Sequence, residues 1–334
     1  MPTPPLQPYT RYPFNVPSRS PIQHSMSLMV NRAPISGGQR VSVCICTYKR
    51  PQLLRRLLEK LAVQETAGLF TYSVVVADND SDQSAAGVVS EFAAKVSFPV
   101  SYRVEPRQGI ALARNKAVED VEGDYVAFID DDEYPVGDWL LQLVQTLEKH
   151  KADGVLGPVK RHFDEKPPDW IARSNFYERP THPTGFVLTW REGRSGNLLF
   201  KGEMLTGKSE PFDPQFRTGE DQDFLRRMMD AGKVFIWCNE AVVYEVVPPG
   251  RWKRTFMLKR ALLRGAMEPR VATFGMTDVV KSALAVPVYL LVLPFMLFLG
   301  QHRFMAVLVR LCDHLGKLLA LVGIHLVSEQ YVTE

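Results

Sequence analysis

The sequence predicts an α/β fold: a mixed, mostly parallel sheet with helices on both faces, continued by C-terminal membrane-associated helices. Two observations carry this expectation. Between residues 41 and 150, apolar runs rich in β-branched residues alternate with stretches of helical periodicity. Beyond residue 250 the composition turns first strongly basic and then apolar. Strand and helix alternating at this spacing call for right-handed crossovers, which put helices over both faces of parallel strands. With 46% hydrophobic and 23% charged residues the chain has ordinary globular composition, so collagen-like, disulfide-scaffold and wholly disordered classes are excluded. No internal repeat is visible, which sets aside solenoids and propellers.

Residues 1–38 are expected to form a disordered cationic arm. The first 40 residues hold eight prolines, Arg11, Arg19, Arg32 and Arg40, and no acid, and they contain no apolar run long enough for a signal peptide. The first strand follows at Val41, in VSVCICTY. A helix follows after Pro51, which suits a first turn, with Leu53, Leu54, Leu57, Leu58 and Leu61 at helical spacing. Strand SVVVADN (73–79) precedes a helix near 84–95, and strand VSYRVEP (100–106) precedes helix 110–121. Strand YVAFIDDDE (125–133) leads to a helix near Gly137. From 155 to 249 the pattern loosens, apart from helical TGEDQDFLRRMMDAG and strand-like KVFIWCNEAVVYEVV.

The segment 251–265 carries six basic residues and no acid, interleaved with Trp252, Phe256 and Met257. Residues 282–300 contain no charge. As a helix they would be about 28 Å long, near the thickness of a bilayer core, with Pro287 and Pro294 expected to kink it. A last amphipathic helix, 304–327, places Arg310, Asp313, His314 and Lys317 on one face. The basic flank predicts attachment at the cytoplasmic face of a membrane, by interfacial or re-entrant insertion rather than a full span.

The candidate chemistry lies in two acidic clusters. Asp130-Asp131-Asp132-Glu133 directly follows an apolar strand, where ligands of open parallel sheets bind. Crowded carboxylates repel one another. A hard divalent cation relieves that repulsion, and oxygen-only ligation favours Mg²⁺ or Mn²⁺. A solvated acidic turn is the plainer alternative. Glu220-Asp221-x-Asp223 opens a helix, and Thr218 with Asp221 fits a capping box, yet the same helix start could aim a general base into a cleft. Asp78-Asn79 ends the second strand, and GIALARN (109–115) follows the third. The chain has no P-loop, GxGxxG, HExxH or GxSxG motif, and its four cysteines show no CxxC pair, so nucleotide hydrolysis, metalloprotease, serine-hydrolase and zinc-site readings lack a warrant.

Taken in order, VSVCICTYKRP (41–51), VVVADNDS (74–81), GIALARNKA (109–117), FIDDDEYP (128–135) and TGEDQDFLRRM (218–228) resemble the inverting family 2 glycosyltransferases of GT-A fold. Within that family they are most similar to bacterial exopolysaccharide glucosyltransferases of the succinoglycan type. The resemblance covers residues 39–250 and implies a catalytic domain there, with 251–334 as membrane-associated helices. It implies that Thr47, Tyr48 and Arg50 line a nucleotide pocket, that Asp78 binds the uracil edge, and that Arg114 helps hold the nucleotide. It further implies Asp130 toward ribose and metal, Asp131 nearby, Asp132 as direct metal ligand, Asp221 as catalytic base and Glu220 in support. The donor implied is a UDP-sugar, UDP-glucose in the closest subgroup. The acceptor implied is a saccharide on an isoprenoid diphosphate lipid. Only Arg251-Trp252 remains of the Q-x-x-R-W motif of processive members, which favours transfer of a single sugar. A silent sugar-nucleotide-binding scaffold subunit is the alternative, and both intact acidic clusters speak against it. Nucleic-acid binding through the basic segments is weaker still, so no nucleic-acid partner is expected. Trp170, Trp190 and Asn197 stand out in the 160–215 region without an assignable role.

Overall fold

A computed structural model describes residues 38–327 apart from 120, 217 and 271–273. The expected cationic arm lies outside the described residues except for Gly38.

The alternation is realised as β1 (Gln39–Thr47), α1 (Pro51–Leu61), β2 (Phe70–Asp78), α2 (Ala86–Ala93), β3 (Val100–Val104), α3 (Ile110–Val118) and β4 (Tyr125–Ile129). There follow β5 (Glu133–Pro135), α4 (Trp139–His150), β6 (Gly154–Leu156), β7 (Val159–His162), α5 (Asp169–Ala172), β8 (Asn197–Lys201), α6 (Glu220–Asp230), β9 (Phe235–Trp237) and β10 (Val243–Val246). Seven strands form the main sheet in the order β3-β2-β1-β4-β8-β6-β9. Strands β1 to β4 pair in parallel, whereas β8 runs antiparallel to both β4 and β6.

The strands read as continuous apolar runs because both faces are covered. Val41, Val43 and Ile45 of β1 pack with α1, α2 and α4 on one face, and Cys44 packs on the other with α3 and α6. In β4, Tyr125, Ala127 and Ile129 alternate with Val126 and Phe128 between the same two layers. All four cysteines are free thiols.

A second sheet, β5-β10-β7, was not evident from sequence. Its strands have three or four residues and mixed polarity, and β5 begins at Glu133, so the acidic run bridges the two sheets. The helix expected near Gly137 starts at Trp139.

Three helices follow: α7 (Arg254–Met267), α8 (Met276–Phe298) and α9 (Gln301–Leu321). A third apolar cluster ties α9 to the rest of the fold, through Met305 and Val309 against Trp170, Trp252 and Met257. Helices α7 and α9 cross closely: a Cβ on Gly265 would stand 2.1 Å from the Asp313 carbonyl, and one on Gly316 would stand 2.3 Å from that of Leu262. Arg264 pairs with Asp313, and Lys317 lies 2.6 Å from Glu268. Of the polar face read from the sequence, Asp313 and Lys317 therefore turn toward α7 and its C-terminal turn, and His314 turns toward Ser282 of α8.

Helix α8 is longer than the predicted 282–300 stretch, and Pro287 and Pro294 lie inside it without dividing it. Among the described residues it is the one helix long and apolar enough to cross a membrane by length and composition; only Ser282 of it is fully buried, one side is half-covered, and Phe298 is 89% exposed.

Candidate active site

The site forms where the carboxyl ends of β1, β2 and β4 meet the start of β8. A cleft of about 920 Å³ opens there, lined by Thr47, Tyr48, Arg50 and the three aspartates 130–132, and closed on the far side by Arg179, Glu245, Arg251 and residues of α7. The switch from parallel to antiparallel pairing beside β4 leaves room above the strand ends for a ligand.

The turn after β4 is held by cations. Thr47 donates Oγ1–H to Asp131 Oδ2 at 2.7 Å, and Arg50 Nη1 reaches Asp131 at 3.1 Å and Asp132 at 3.5 Å. Arg251 Nη2 donates to Asp132 at 2.8 Å while its Nη1 reaches Glu245 at 2.9 Å. The nucleotide-pocket residues expected from the sequence, Thr47, Tyr48 and Arg50, thus share one wall with Asp130, Asp131 and Asp132.

Arg114 joins the two acidic clusters. Its Nε donates to Glu220 at 2.9 Å and its Nη2 lies 3.8 Å from Asp130, with side-chain exposures of 4% for Arg114 and 3% for Glu220. Burial pushes the Glu220 carboxyl up to about 6 against the opposing pull of Arg114. The structure therefore places Arg114 behind the cleft as a link between clusters rather than along its lining. Arg114→Leu would leave Glu220 buried without its cation, so we expect a loss of about 3–5 kcal/mol in urea unfolding. A change below about 1 kcal/mol would show that the link contributes little.

Asp221 is half-buried at the second position of α6. Its Oδ2 accepts from Ser195 N and Ser195 Oγ, both at 3.2 Å, and its Oδ1 accepts from Gln222 N at 2.8 Å. The capping-box expectation is corrected: the N-cap is Gly219, at φ +83°, with no side-chain cap, so Thr218 stands outside the helix and Asp221 is free to face Ser195. Ser195 is buried immediately before β8, whose Asn197 pairs with Ile129 of β4, and this brings the two acidic clusters together.

One further placement differs from expectation. Asp78 is fully buried, accepting from Asp80 N, Ala85 N and the Tyr102 hydroxyl, and it shapes the turn instead of lining the cleft. The neighbouring Asn79 reaches the cleft lining, although its amide holds the carbonyls of Glu105 and Arg107. Asn197 is a buried knot, accepting from Trp139 Nε1 and donating to the carbonyls of Pro158 and Ala241. Trp170 belongs to the third apolar cluster, and Trp190 stacks on Arg191. Arg179, Glu245 and Glu133 were not singled out individually from sequence. Arg179 and Glu245 lie in irregular or short-stranded stretches whose spatial partners no local pattern announces.

The residues fit a divalent cation of the incomplete type. Among the described residues no three His, Cys, Asp or Glu side chains form a ready cage. Mg²⁺ and Mn²⁺ sites of one or two carboxylates are completed by substrate phosphate and water. The donors are all carboxylate oxygens, and their burial is under-compensated. Glu133 is 2% exposed, and among the described residues its Oε2 accepts only a long hydrogen bond, 3.4 Å from Asp130 N. An added Cβ on Gly196 would sit 2.7 Å from Glu133 Oε1 and 2.9 Å from Asp130 Oδ2, so both acids crowd one spot. Burial raises the carboxyls of Asp130, Asp131 and Glu133 above their ordinary range, with Asp130 adding to the effect at Glu133.

That shift has a testable sign. A carboxyl raised in the folded state binds more protons there than in the unfolded chain, so its contribution to stability is lost as pH rises above the ordinary value of 4.5. Glu133→Gln removes the charge and can donate to Asp130. It should raise the melting temperature of the unliganded protein at pH 8 and change it little at pH 5. A lowered melting temperature at pH 8 would contradict the assignment.

Parallel strands switching to an antiparallel neighbour beside a carboxylate-bearing turn agree with the GT-A glycosyltransferase arrangement that the sequence motifs imply. The family model for glycosyl transferase family 2 matches residues 42–200. The chain is 34% identical over 235 residues to the succinoglycan biosynthesis protein ExoM of Rhizobium meliloti, spanning 69% of this chain and 74% of that protein. It is 23% identical over 206 residues to the poly(ribitol-phosphate) beta-N-acetylglucosaminyltransferase TarS of Staphylococcus aureus, spanning 61% of this chain but 35% of TarS. A crystal structure of S. aureus TarS 1–349 aligns with TM-score 0.47 and 21% identity, over 67% of this chain and 65% of that one. The chain belongs to glycosyl transferase family 2 and is an enzyme of glycosyl transfer.

Proposed function

We propose that the enzyme transfers one sugar, glucose from UDP-glucose, with inversion to a hydroxyl of a lipid-linked saccharide in cell-surface polysaccharide synthesis. The observation that carries this reading is the convergence of the two acidic clusters on Arg114, beside a cleft whose wall holds Thr47, Tyr48 and Arg50. The relative named for succinoglycan biosynthesis supports a polysaccharide product, and the relative named as a beta-transferase supports inversion.

In this reading Thr47, Tyr48 and Arg50 bind the nucleotide, and the buried Asp78 builds the turn beneath the base. Asp130 and Asp132 would hold Mg²⁺ or Mn²⁺, which when bound neutralises charge on the donor diphosphate. Arg251 and Arg50, now on Asp132, are placed to turn toward the phosphates. Asp221, oriented by Ser195, takes the proton of the acceptor hydroxyl as its oxygen attacks the anomeric carbon from the face opposite the diphosphate. The new C–O bond forms as the bond to the diphosphate breaks, so an α-linked donor yields a β-glycoside without a covalent intermediate. Glu220 keeps Arg114 in place behind these acids.

Residues 39–250 form the catalytic unit of this proposal and 251–334 its membrane attachment, at the cytoplasmic face where nucleotide sugars are made. Helix α8 is read as lying in the membrane interface. It packs along α9, with Ser282 Oγ 3.0 Å from His314 Nδ1 and Tyr289 stacked on the same ring, and α9 is fixed to α7. A full crossing would draw Arg310, Asp313 and Lys317 into hydrocarbon, at about 2.5–3.5 kcal/mol for each such charge at the centre. Leu291→Glu with Phe295→Glu, both at exposed positions, should release the protein from phosphatidylglycerol-containing vesicles without changing its melting temperature. Undiminished vesicle binding would move the attachment to α7.

The transfer itself is tested by incubating membranes containing the enzyme with radiolabelled UDP-glucose and Mn²⁺. Label entering a solvent-extractable, mild-acid-labile lipid as a β-linked residue supports the reading. Label entering only with another nucleotide sugar would replace the donor.

A further inference from the structure

A second cavity, of about 660 Å³, opens between the 173–179 segment, α7 and the first half of α9. Its wall carries seven arginines and three carboxylates. All three carboxylates are already paired: Glu178 with Arg161 at 3.0 Å, Glu245 with Arg179 and Arg251, and Asp313 with Arg264. Arg173, Arg194, Arg260, Arg303 and Arg310 have neither an ion pair nor a hydrogen-bond partner of their own among the described residues, and all five are exposed toward solvent.

Arginines gathered without counter-charge repel one another, and an anion entering the cavity removes that repulsion while filling their planar donor forks. The placement is regular. Arg303 and Arg310 are seven residues apart, two turns along one face of α9, and Arg260 looks from α7. Desolvation in the cavity wall, and after it the neighbouring Arg251, hold the Arg260 guanidinium below its ordinary pKa.

The cavity's connections narrow the kind of anion. Arg179, Glu245, Phe256 and Arg260 line both this cavity and the catalytic cleft, so the two adjoin along a shared wall. At the other end, α9 begins three residues after α8 ends at the exposed Phe298. A ligand with an anionic centre held here would have an apolar tail beside α8 and a polar extension toward Asp221.

We propose that this cavity seats the diphosphate of the membrane-borne acceptor, with Arg260, Arg303 and Arg310 holding its oxygens and Arg173 and Arg194 flanking them. The inference rests on the lipid-linked acceptor reading above, and it assigns that substrate a site separate from the nucleotide cleft. By fixing the diphosphate, the site sets how far the acceptor saccharide reaches from the membrane to the base.

The test uses the full chain in three binding arms: phosphatidylcholine vesicles doped with a long-chain isoprenyl diphosphate, the same vesicles doped with phosphatidylglycerol at equal charge, and inorganic diphosphate in solution. Arg303→Gln with Arg310→Gln should weaken binding to the isoprenyl diphosphate vesicles by about tenfold or more. Arg303→Lys with Arg310→Lys should retain an intermediate affinity, and UDP binding should be unchanged in both. Equal binding of parent and glutamine variant to the isoprenyl diphosphate vesicles overturns the proposal, as does equal retention of the parent by phosphatidylglycerol vesicles. Inorganic diphosphate binding as tightly as the lipid-borne group overturns the lipid as source. If UDP fails to bind the parent, the nucleotide reading falls, and the diphosphate site is still decided by the vesicle arms.

Discussion

Asp221→Asn is expected to lower turnover by about 10²–10⁴-fold while leaving UDP-sugar affinity unchanged, the range that general-base catalysis supplies. Asparagine has the shape of aspartate, and its oxygen can still accept from Ser195, so the start of α6 should hold with the loss only of the bond from Gln222 N. Glu220 remains on Arg114, and the wall of the cleft is untouched. What disappears is the carboxylate oxygen that the proposed mechanism assigns as acceptor of the hydroxyl proton. The measurement is a split between kcat and donor dissociation constant on purified enzyme. A variant retaining turnover within about threefold of the parent would mean that another group is the base. Glu220→Gln is a poorer probe, because it disturbs the buried pair with Arg114 and confounds chemistry with folding.

Asp132→Ala is expected to abolish turnover and to remove the response of donor binding to divalent cations. Asp132 is held by Arg251 at 2.8 Å and by Arg50 at 3.5 Å, and removing it leaves Arg251 on Glu245 and Arg50 on Asp131, still beside the cleft. The expected result is therefore weak nucleotide binding that Mn²⁺ no longer strengthens, at least about tenfold below the parent in Mn²⁺. Parent-like enhancement by Mn²⁺ in the variant would transfer the metal role to Asp130 and Glu133, which crowd against Gly196.

The sheet was legible because β1, β2 and β4 are buried on both faces and so appear as unbroken β-branched runs followed by helical spacing. The acidic clusters were legible because charge directly after a buried strand is conspicuous. The antiparallel β8 was not, since NLLFK is five residues long and its direction is set by pairing with β4 and β6. Nor were the small sheet, whose β10 pairs with β7 and β5, and the far wall of the cleft, where the Glu245 side chain pairs with Arg179 from a distant, irregular stretch. Asp78 shows a different limit: its position at a strand end was readable, but the three donors that enclose it were not. The polar face of α9 was visible as a pattern, whereas its partner, α7, depends on a close crossing at Gly265 and Gly316.

The most direct test of the account is calorimetric binding of a panel of nucleoside diphosphate sugars to the detergent-solubilised full chain, with and without Mn²⁺, beside Asp132→Ala. The account predicts Mn²⁺-strengthened binding of a UDP-sugar, UDP-glucose foremost, with the strengthening lost in the variant. Folded protein that binds none of the panel, or binds it equally with and without Mn²⁺, would contradict it.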